Sequence, residues 1–367
     1  YVGITGTNGK STTTALIGHI MQTAGRETEV GGNLGVPVLT LEPLGPEGTY
    51  VLEMSSFQLE LTLSITFDVA VLLNISADHL ERHGGMDGYI AAKCQIFHRQ
   101  TKPRTAVIGV DDDLCRGVYE ELKAADAQNV VPVSGCQRVH GGVYALNGIL
   151  IDDMEGQETP VCDLTENPSL IGAHNGQNAA AAYAAAKAAG VAPHAIMACI
   201  LSFPGLVHRQ EAVELVNGVA FVNDSKATNP EAAARALACY DNIYWIAGGR
   251  PKAGGLESFD AHLGNVRHAY LIGDAAMAFG QHLSGKVSAT VSGDLATAVK
   301  QASDQAKADG FDQPVVLLSP ACASFDQFDN FEARGDAFKE LVEALPGKHM
   351  DPSEEPGLFP GSGREIA

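Results

Sequence analysis

The chain has 367 residues, 45% of them hydrophobic, with 24 Lys and Arg against 44 Asp and Glu, for a net charge of −20. That length predicts two or three domains with sizeable cores, and so acidic a surface, with no run of Lys or Arg, excludes nucleic acid and anionic membrane as natural partners. Seven dispersed cysteines without a Cys-x-x-Cys pair fit reduced cytoplasmic thiols, and no uninterrupted apolar run of about 18 residues suggests a membrane span.

Tyr1-Val2-Gly3-Ile4 reads as the end of a buried strand, and opening directly in a strand reads as a piece of a longer chain. Gly6-Thr7-Asn8-Gly9-Lys10-Ser11-Thr12 follows. Beyond it Ala15, Leu16, Ile20, Met21 and Ala24 recur at helical spacing until Gly25. Strand, glycine loop, Gly-Lys-Ser and helix form the context of a phosphate-binding loop. Its glycines let backbone N–H groups turn onto an anion, and the helix N-terminus adds partial positive charge. Lys10 can reach the β- and γ-phosphates, and the Ser11 hydroxyl can ligate Mg²⁺. The general pattern places a glycine where this chain has Ile4.

Thr49–Met54 is expected to be a strand that ends in Glu53, where a carboxylate either holds Mg²⁺ or remains solvated. Phe67–Asn74 is a continuous apolar run suited to a parallel strand, and it empties into Asn74-Ile75-Ser76-Ala77-Asp78-His79. His79, at a strand end facing the ligand crevice of an open sheet, suits a metal ligand or a structural histidine about equally. Thr105–Val110 reads as a strand and Asp113–Ala125 as a helix. Asn147-Gly148 marks a hairpin between Val143–Leu146 and Ile149–Asp152. His174-Asn175-Gly176-Gln177-Asn178 then opens an alanine-rich helix. Asn175 and Asn178 share a face of its first turn, where they cap the helix or read a purine edge.

A domain boundary is expected near Ser202–Leu206, giving domains 1–205 and 206–346 and a disordered, tag-like tail at 347–367. In the second domain Val219–Asn223, Ile243–Ala247, Ala269–Ile272 and Val315–Ser319 read as strands. Glu231–Cys239, Ala275–Leu283, Leu295–Ala308 and Phe331–Leu345 read as helices. The fold class is α/β: a phosphate-loop domain with a mostly parallel sheet, then a second, Rossmann-like α/β domain. Asp224-Ser225-Lys226-Ala227-Thr228-Asn229 and Ser319-Pro320-Ala321-Cys322-Ala323-Ser324 each follow a strand and are expected to open a helix.

Taken in order, these motifs, with Ser55-Ser56-Phe57-Gln58-Leu59-Glu60 and Phe331-Glu332-x-Arg334-Gly335, resemble the Mur ligases over about residues 1–346. Those are the ATP-dependent amino-acid-adding enzymes of peptidoglycan synthesis. The C-terminal motifs resemble the member that adds D-glutamate. The family's phosphate loop also lacks the glycine that Ile4 replaces. Its N-terminal domain, which docks the uridine diphosphate of the acceptor, has no counterpart here.

The resemblance implies Lys10 on the transferred phosphoryl group, Ser11 and Glu53 on one Mg²⁺, and His79 with a carbamylated Lys93 on a second. Asn33 and Ser55 contact the muramoyl acceptor, Asn175 and Asn178 serve adenine, and Arg209, Asp224 and Lys226 reach ATP across the domain crevice. Thr228, Lys252, Ser324 and Phe331 line a D-glutamate pocket. It implies small-molecule substrates (ATP, D-glutamate and UDP-N-acetylmuramoyl-L-alanine) and a monomer in the cytoplasm. The rivals are a folylpolyglutamate synthase, which shares the loop but not the C-terminal motifs, and a phosphate-loop switch that ligates nothing.

Overall fold

The structure is a computed structural model that describes residues 1–33, 35–251 and 255–352. Its described residues divide into two compact units, Tyr1–Pro204 and 205–352.

In the first unit, β1 (Val2–Thr5), α1 (Lys10–Thr23), β2 (Thr28–Gly32), β3 (Thr49–Glu53), α2 (Ser56–Leu61) and β4 (Val69–Leu72) come first. Then follow α3 (Leu80–His83), α4 (Met86–Cys94), β5 (Thr105–Gly109), α5 (Asp113–Ala125) and β6 (Asn129–Ser134). The unit closes with β7 (Val143–Leu146), β8 (Ile149–Asp152), β9 (Thr159–Asp163), α6 (Ala173–Ala188) and α7 (Pro193–Leu201). The sheet order is β2-β3-β1-β4-β5-β6-β7-β8-β9, with parallel pairing as far as β7 and antiparallel pairing beyond.

The apolar strand runs are explained by burial on both faces. Along β4, Val69 and Val71 enter one core with α1, α6 and α7, while Ala70 and Leu72 enter the other. Helix α6 is buried from Ala179 to Ala186 without interruption, and small side chains let it lie close against its neighbours. At the expected hairpin, Asn147 and Gly148 both have left-handed φ (50° and 79°), as a type I′ turn requires.

The second unit holds β10 (Glu211–Val216), β11 (Val219–Asn223), α8 (Pro230–Leu237), β12 (Ile243–Gly248), β13 (Val266–Ile272) and α9 (Ala276–Leu283). It continues with β14 (Ala289–Gly293), α10 (Leu295–Asp309), β15 (Val315–Leu318), α11 (Phe331–Glu343) and β16 (His349–Met350). Its sheet runs β14-β13-β12-β15-β11-β10-β16, with parallel pairing as far as β11 and antiparallel pairing beyond. Trp245 packs edge-on to Phe259 and donates its indole N–H to the Ser319 carbonyl, 2.8 Å away.

Two expectations are corrected. The segment Ser319–Ser324 opens no helix directly: an irregular loop runs on to Phe331, whose helix is capped by Asn330. Residues 347–352, read as disordered tail, carry β16, which pairs with β10 and is pinned by His349 Nδ1 at 2.7 Å from Glu214 Oε2. Backbone pairing supplies the order that a Pro- and Gly-rich composition conceals. Among the described residues, no helix is long and apolar enough to cross a membrane.

Candidate functional site

Because β1, β3, β4 and β5 are parallel, their C-terminal ends lie along one sheet edge, where open α/β sheets bind ligands. The loop Gly6–Gly9 leaves β1 there and enters α1 at Lys10. Gly9 is the N-cap in a left-handed conformation (φ 81°), and a Cβ on it would lie 2.3 Å from Asn178 Oδ1. No side chain caps α1, and its first turn holds no acidic residue, so the helix head suits an anion. Lys10 Nζ folds over the loop and donates to the Gly6 and Thr7 carbonyls at 2.9 Å each. Gly9→Ala is therefore expected to cost about 2 kcal/mol or more of stability, read as a lower urea midpoint, through left-handed strain and a clash.

Glu53 ends β3 beside this loop, in register with Ile4 of β1. Its side chain is buried; Oε1 accepts from Asn33 Nδ2 at 2.7 Å, while Oε2 is buried without a hydrogen-bond partner. An orphaned carboxylate oxygen in the interior is costly unless something positive meets it. A carboxylate at this strand end and a hydroxyl, Ser11, in the first turn of α1 are the hard oxygen donors that Mg²⁺ prefers, and this ion usually takes only one or two carboxylates together with phosphates and water. The site therefore fits Mg²⁺, although no group of three or more His, Cys, Asp and Glu side chains gathers among the described residues.

Lys93, on α4, is 1% exposed and donates to the Gly6 carbonyl at 2.8 Å, with its ammonium 4.7 Å from the centre of the Tyr89 ring. Burial first, and then the charge of Lys10, pull its pKa from 10.5 down to about 7. Tyr89 in turn meets the Thr7 hydroxyl at 3.1 Å. His79 has a left-handed backbone (φ 50°), sits edge-on to Phe57 at 5.1 Å, and leaves its ring half exposed. Ser55 caps α2 in a capping box with Gln58, so its hydroxyl serves the helix as well as any ligand.

In the second unit, Asp224 leaves the end of β11 and is buried. It accepts from Ser319 Oγ at 2.8 Å and from the Gln210 N–H at 3.2 Å. Burial raises its carboxyl from 3.8 to about 7, overcoming the opposing pull of Ser319, Arg209 and Arg334. The folded protein thus keeps a proton that the unfolded chain releases between these values. This contribution to stability is full below pH 3.8 and is lost as pH rises through about 7. Asp224→Asn should flatten that fall, which urea midpoints taken across the window will show. Nearby, Lys226 Nζ lies 5.4 Å over the Phe331 ring at the head of α11, and Ser324 is buried. Thr228 precedes Asn229, the N-cap of α8.

The profile of the Mur ligase middle domain matches residues 4–186, and that of the Mur ligase glutamate ligase domain matches residues 208–322. The UDP-N-acetylmuramoylalanine–D-glutamate ligase of Rhodospirillum rubrum is 54% identical over 357 residues, 97% of this chain and 74% of that protein. The enzyme of the same name from Caulobacter sp. strain K31 is 55% identical over 344 residues, 94% of this chain and 73% of that one. The chain belongs to the Mur ligase family.

Solved Mur ligases share the fold at low identity. MurF of Acinetobacter baumannii has a TM-score of 0.64 at 23% identity, covering 92% of this chain and 76% of that one. MurF of Thermotoga maritima in complex with ADP has a TM-score of 0.63 at 19% identity, covering 93% of this chain and 80% of that one.

Within this Mur ligase, the first unit brings Gly6–Thr12, Asn33, Glu53 and Lys93 to one sheet edge, and the second gathers Arg209, Asp224, Lys226, Ser324 and Phe331 around the ends of β11 and β15. Lys252 lies outside the described residues. Of the two readings of the α6 asparagines, the helix cap is corrected. Gly172 is the N-cap, and Asn175 sits inside the first turn, donating to the Ile171 carbonyl at 2.9 Å. Asn178 donates to Asn175 Oδ1 and accepts from Thr13 Oγ1 at 3.2 Å, which braces α6 against α1.

Sequence reasoning assigned no contact to Arg334, which is buried. It donates to Ser225 Oγ and to the Ser225 and Cys322 carbonyls, tying two loops to α11, and burial lowers its pKa to about 10. His83 was missed as well: it joins Glu60 Oε1 at 2.8 Å to Ser56 Oγ at 3.0 Å and so locks α3 to α2. A charged residue inside the Phe331–Gly335 motif was the available signal for the first; nothing local marked the second.

Proposed function

We propose that this Mur ligase joins the L-alanyl carboxylate of UDP-N-acetylmuramoyl-L-alanine to D-glutamate at the expense of ATP, in peptidoglycan synthesis, acting as a monomer in the cytoplasm. The carrying observation is the uncapped, Lys10-bearing head of α1 beside a buried Glu53 oxygen that lacks a partner. The names of the relatives supply the substrates.

A carboxylate acylates poorly and must be activated. The acceptor carboxylate attacks the γ-phosphorus in line, the bond to the ADP oxygen breaks, and an acyl phosphate forms. The D-glutamate amine then attacks the acyl carbon, loses a proton, and phosphate leaves. Backbone N–H groups of residues 9–12 cradle the phosphates, and Lys10 neutralises charge that grows during transfer. Ser11 and Glu53 would hold Mg²⁺, with His79 and a carbamylated Lys93 at a second ion; bound there, the metal supplies charge neutralisation and alignment of the phosphates. Asn33, already fixed on Glu53, and Ser55 face the acceptor. Arg209, Asp224 and Lys226 serve ATP, and Thr228, Ser324 and Phe331 hold D-glutamate.

Phosphate release measured with ATP and Mg²⁺ tests this reading. It should rise only when the muramoyl-L-alanine nucleotide and D-glutamate are both present. Release that is indifferent to the amino acid, or that answers to folate and L-glutamate, would refute it.

A further inference from the structure

A phosphate tolerates the N–H side of a peptide and is repelled by the carbonyl side, so a phosphate loop must keep its carbonyls turned away. Lys10 holds the Gly6 and Thr7 carbonyls; for the Asn8 peptide that task falls on Asn74, two residues beyond β4. Its main-chain carbonyl accepts the Thr7 N–H at 2.9 Å. Its side chain takes hold of Asn8 at both ends: Oδ1 accepts the Asn8 N–H at 2.8 Å, and Nδ2 donates to the Asn8 carbonyl at 3.2 Å. In a trans peptide the C=O and the following N–H point in opposite directions. Holding the Asn8 carbonyl against Asn74 therefore sends the Gly9 N–H away from Asn74.

An amide side chain can be turned end for end at little cost in shape, so something must fix which end of Asn74 faces Asn8. Asn74 Nδ2 also donates to Gln177 Oε1 at 3.3 Å, and Gln177 Nε2 donates to Asp111 Oδ2 at 2.9 Å. An ionised carboxylate only accepts. Asp111 is itself held by the Gly135 N–H at 2.8 Å and by the Ser134 hydroxyl. The order then follows by necessity: Asp111 demands the NH₂ end of Gln177, the oxygen end of Gln177 demands the NH₂ of Asn74, and the oxygen of Asn74 is left for the Asn8 N–H.

We propose that Asp111 and Gln177 are positioning residues which, through Asn74, set the polarity of the phosphate loop and so its affinity for the nucleotide phosphates. The inference rests on the nucleotide reading above. Gln177 is buried on α6 and Asp111 follows β5. Both act through Asn74 and the loop, not on the substrate.

The test is calorimetric titration of the 367-residue chain with magnesium-ATP, for the parent, Asp111→Asn, Gln177→Met and the double variant. Each single change should weaken binding about tenfold, and the double variant should be no weaker than the worse single, because one chain of bonds is broken either way. In steady-state assays the KM for ATP should rise while the KM for D-glutamate stays unchanged, a split that general loosening of the fold would not give. A single variant within about twofold of the parent, or a double variant weakened by the product of the two singles, overturns the relay. If Asp111→Asn fails to fold, the Gln177→Met arm decides alone. A parent that binds no magnesium-ATP overturns the nucleotide reading itself, and the relay with it.

Discussion

Lys10→Ala should lower ligation turnover by about three orders of magnitude or more, the scale seen when a main stabiliser of developing transition-state charge is removed. Lys10 is the first residue of α1, and its ammonium rests on the Gly6 and Thr7 carbonyls. On the proposed reading, replacing it removes a cation from the γ-phosphoryl group in transit. The loop itself should survive, because Thr7, Asn8 and Gly9 are held by Asn74 and packed against Asn178. Turnover is the deciding measurement, with the melting temperature as a control on folding. Near-normal turnover in a folded variant would remove Lys10 from the mechanism.

The second large effect concerns Lys93. A carbamate forms when a neutral amine attacks CO₂ and releases a proton, so it needs a lysine that sheds its charge near neutrality. Burial and the nearby Lys10 bring Lys93 down to about 7. Above that value the amine is mostly neutral, and carbamylation at a fixed CO₂ concentration becomes easier as pH rises. Turnover should therefore fall reversibly when CO₂ is stripped from the buffer, most severely below pH 7. Lys93→Met should lose about two orders of magnitude or more and no longer respond to CO₂. The same shift has a stability signature. Between about 7 and 10.5 the unfolded chain holds a proton that the unmodified folded chain does not, so stability rises with pH across that window. Turnover unaffected by CO₂ removal would leave Lys93 as a buried structural amine.

The phosphate loop was legible because its information is local: glycines, Lys10 and Ser11 are consecutive, and a strand and a helix flank them. The same holds for α5 and the β7–β8 hairpin, whose edges are marked by Asp112, Asn147 and Gly148. Strands of mixed composition were not read. In β2 two of the five residues are glycine, and β14 alternates exposed and half-buried positions at the edge of its sheet. Helices α2 to α4 went unread because each is short and set by caps and glycines rather than by an apolar stripe.

Within the site, resemblance could name Lys93 and Asn33 but could not say what they touch. A lysine near a helix end ordinarily snorkels into water; here the Gly6 carbonyl and the Tyr89 ring, brought by the fold, hold it inside. The orphaned Glu53 oxygen becomes visible only when Asn33, twenty residues earlier in the chain, is seen to occupy its partner. Asn175 and Asn178 were not legible as caps because Gly172 takes the N-cap position, while their amides bond neighbouring backbone and side chains.

Diffraction from crystals of this chain soaked with magnesium and a non-hydrolysable ATP analogue bears most directly on the account. Density should show the phosphates on the N–H groups at the head of α1, with a metal ion between them and Glu53 Oε2. A nucleotide seated elsewhere, with that helix end bare and the Glu53 oxygen still unmet, would contradict it.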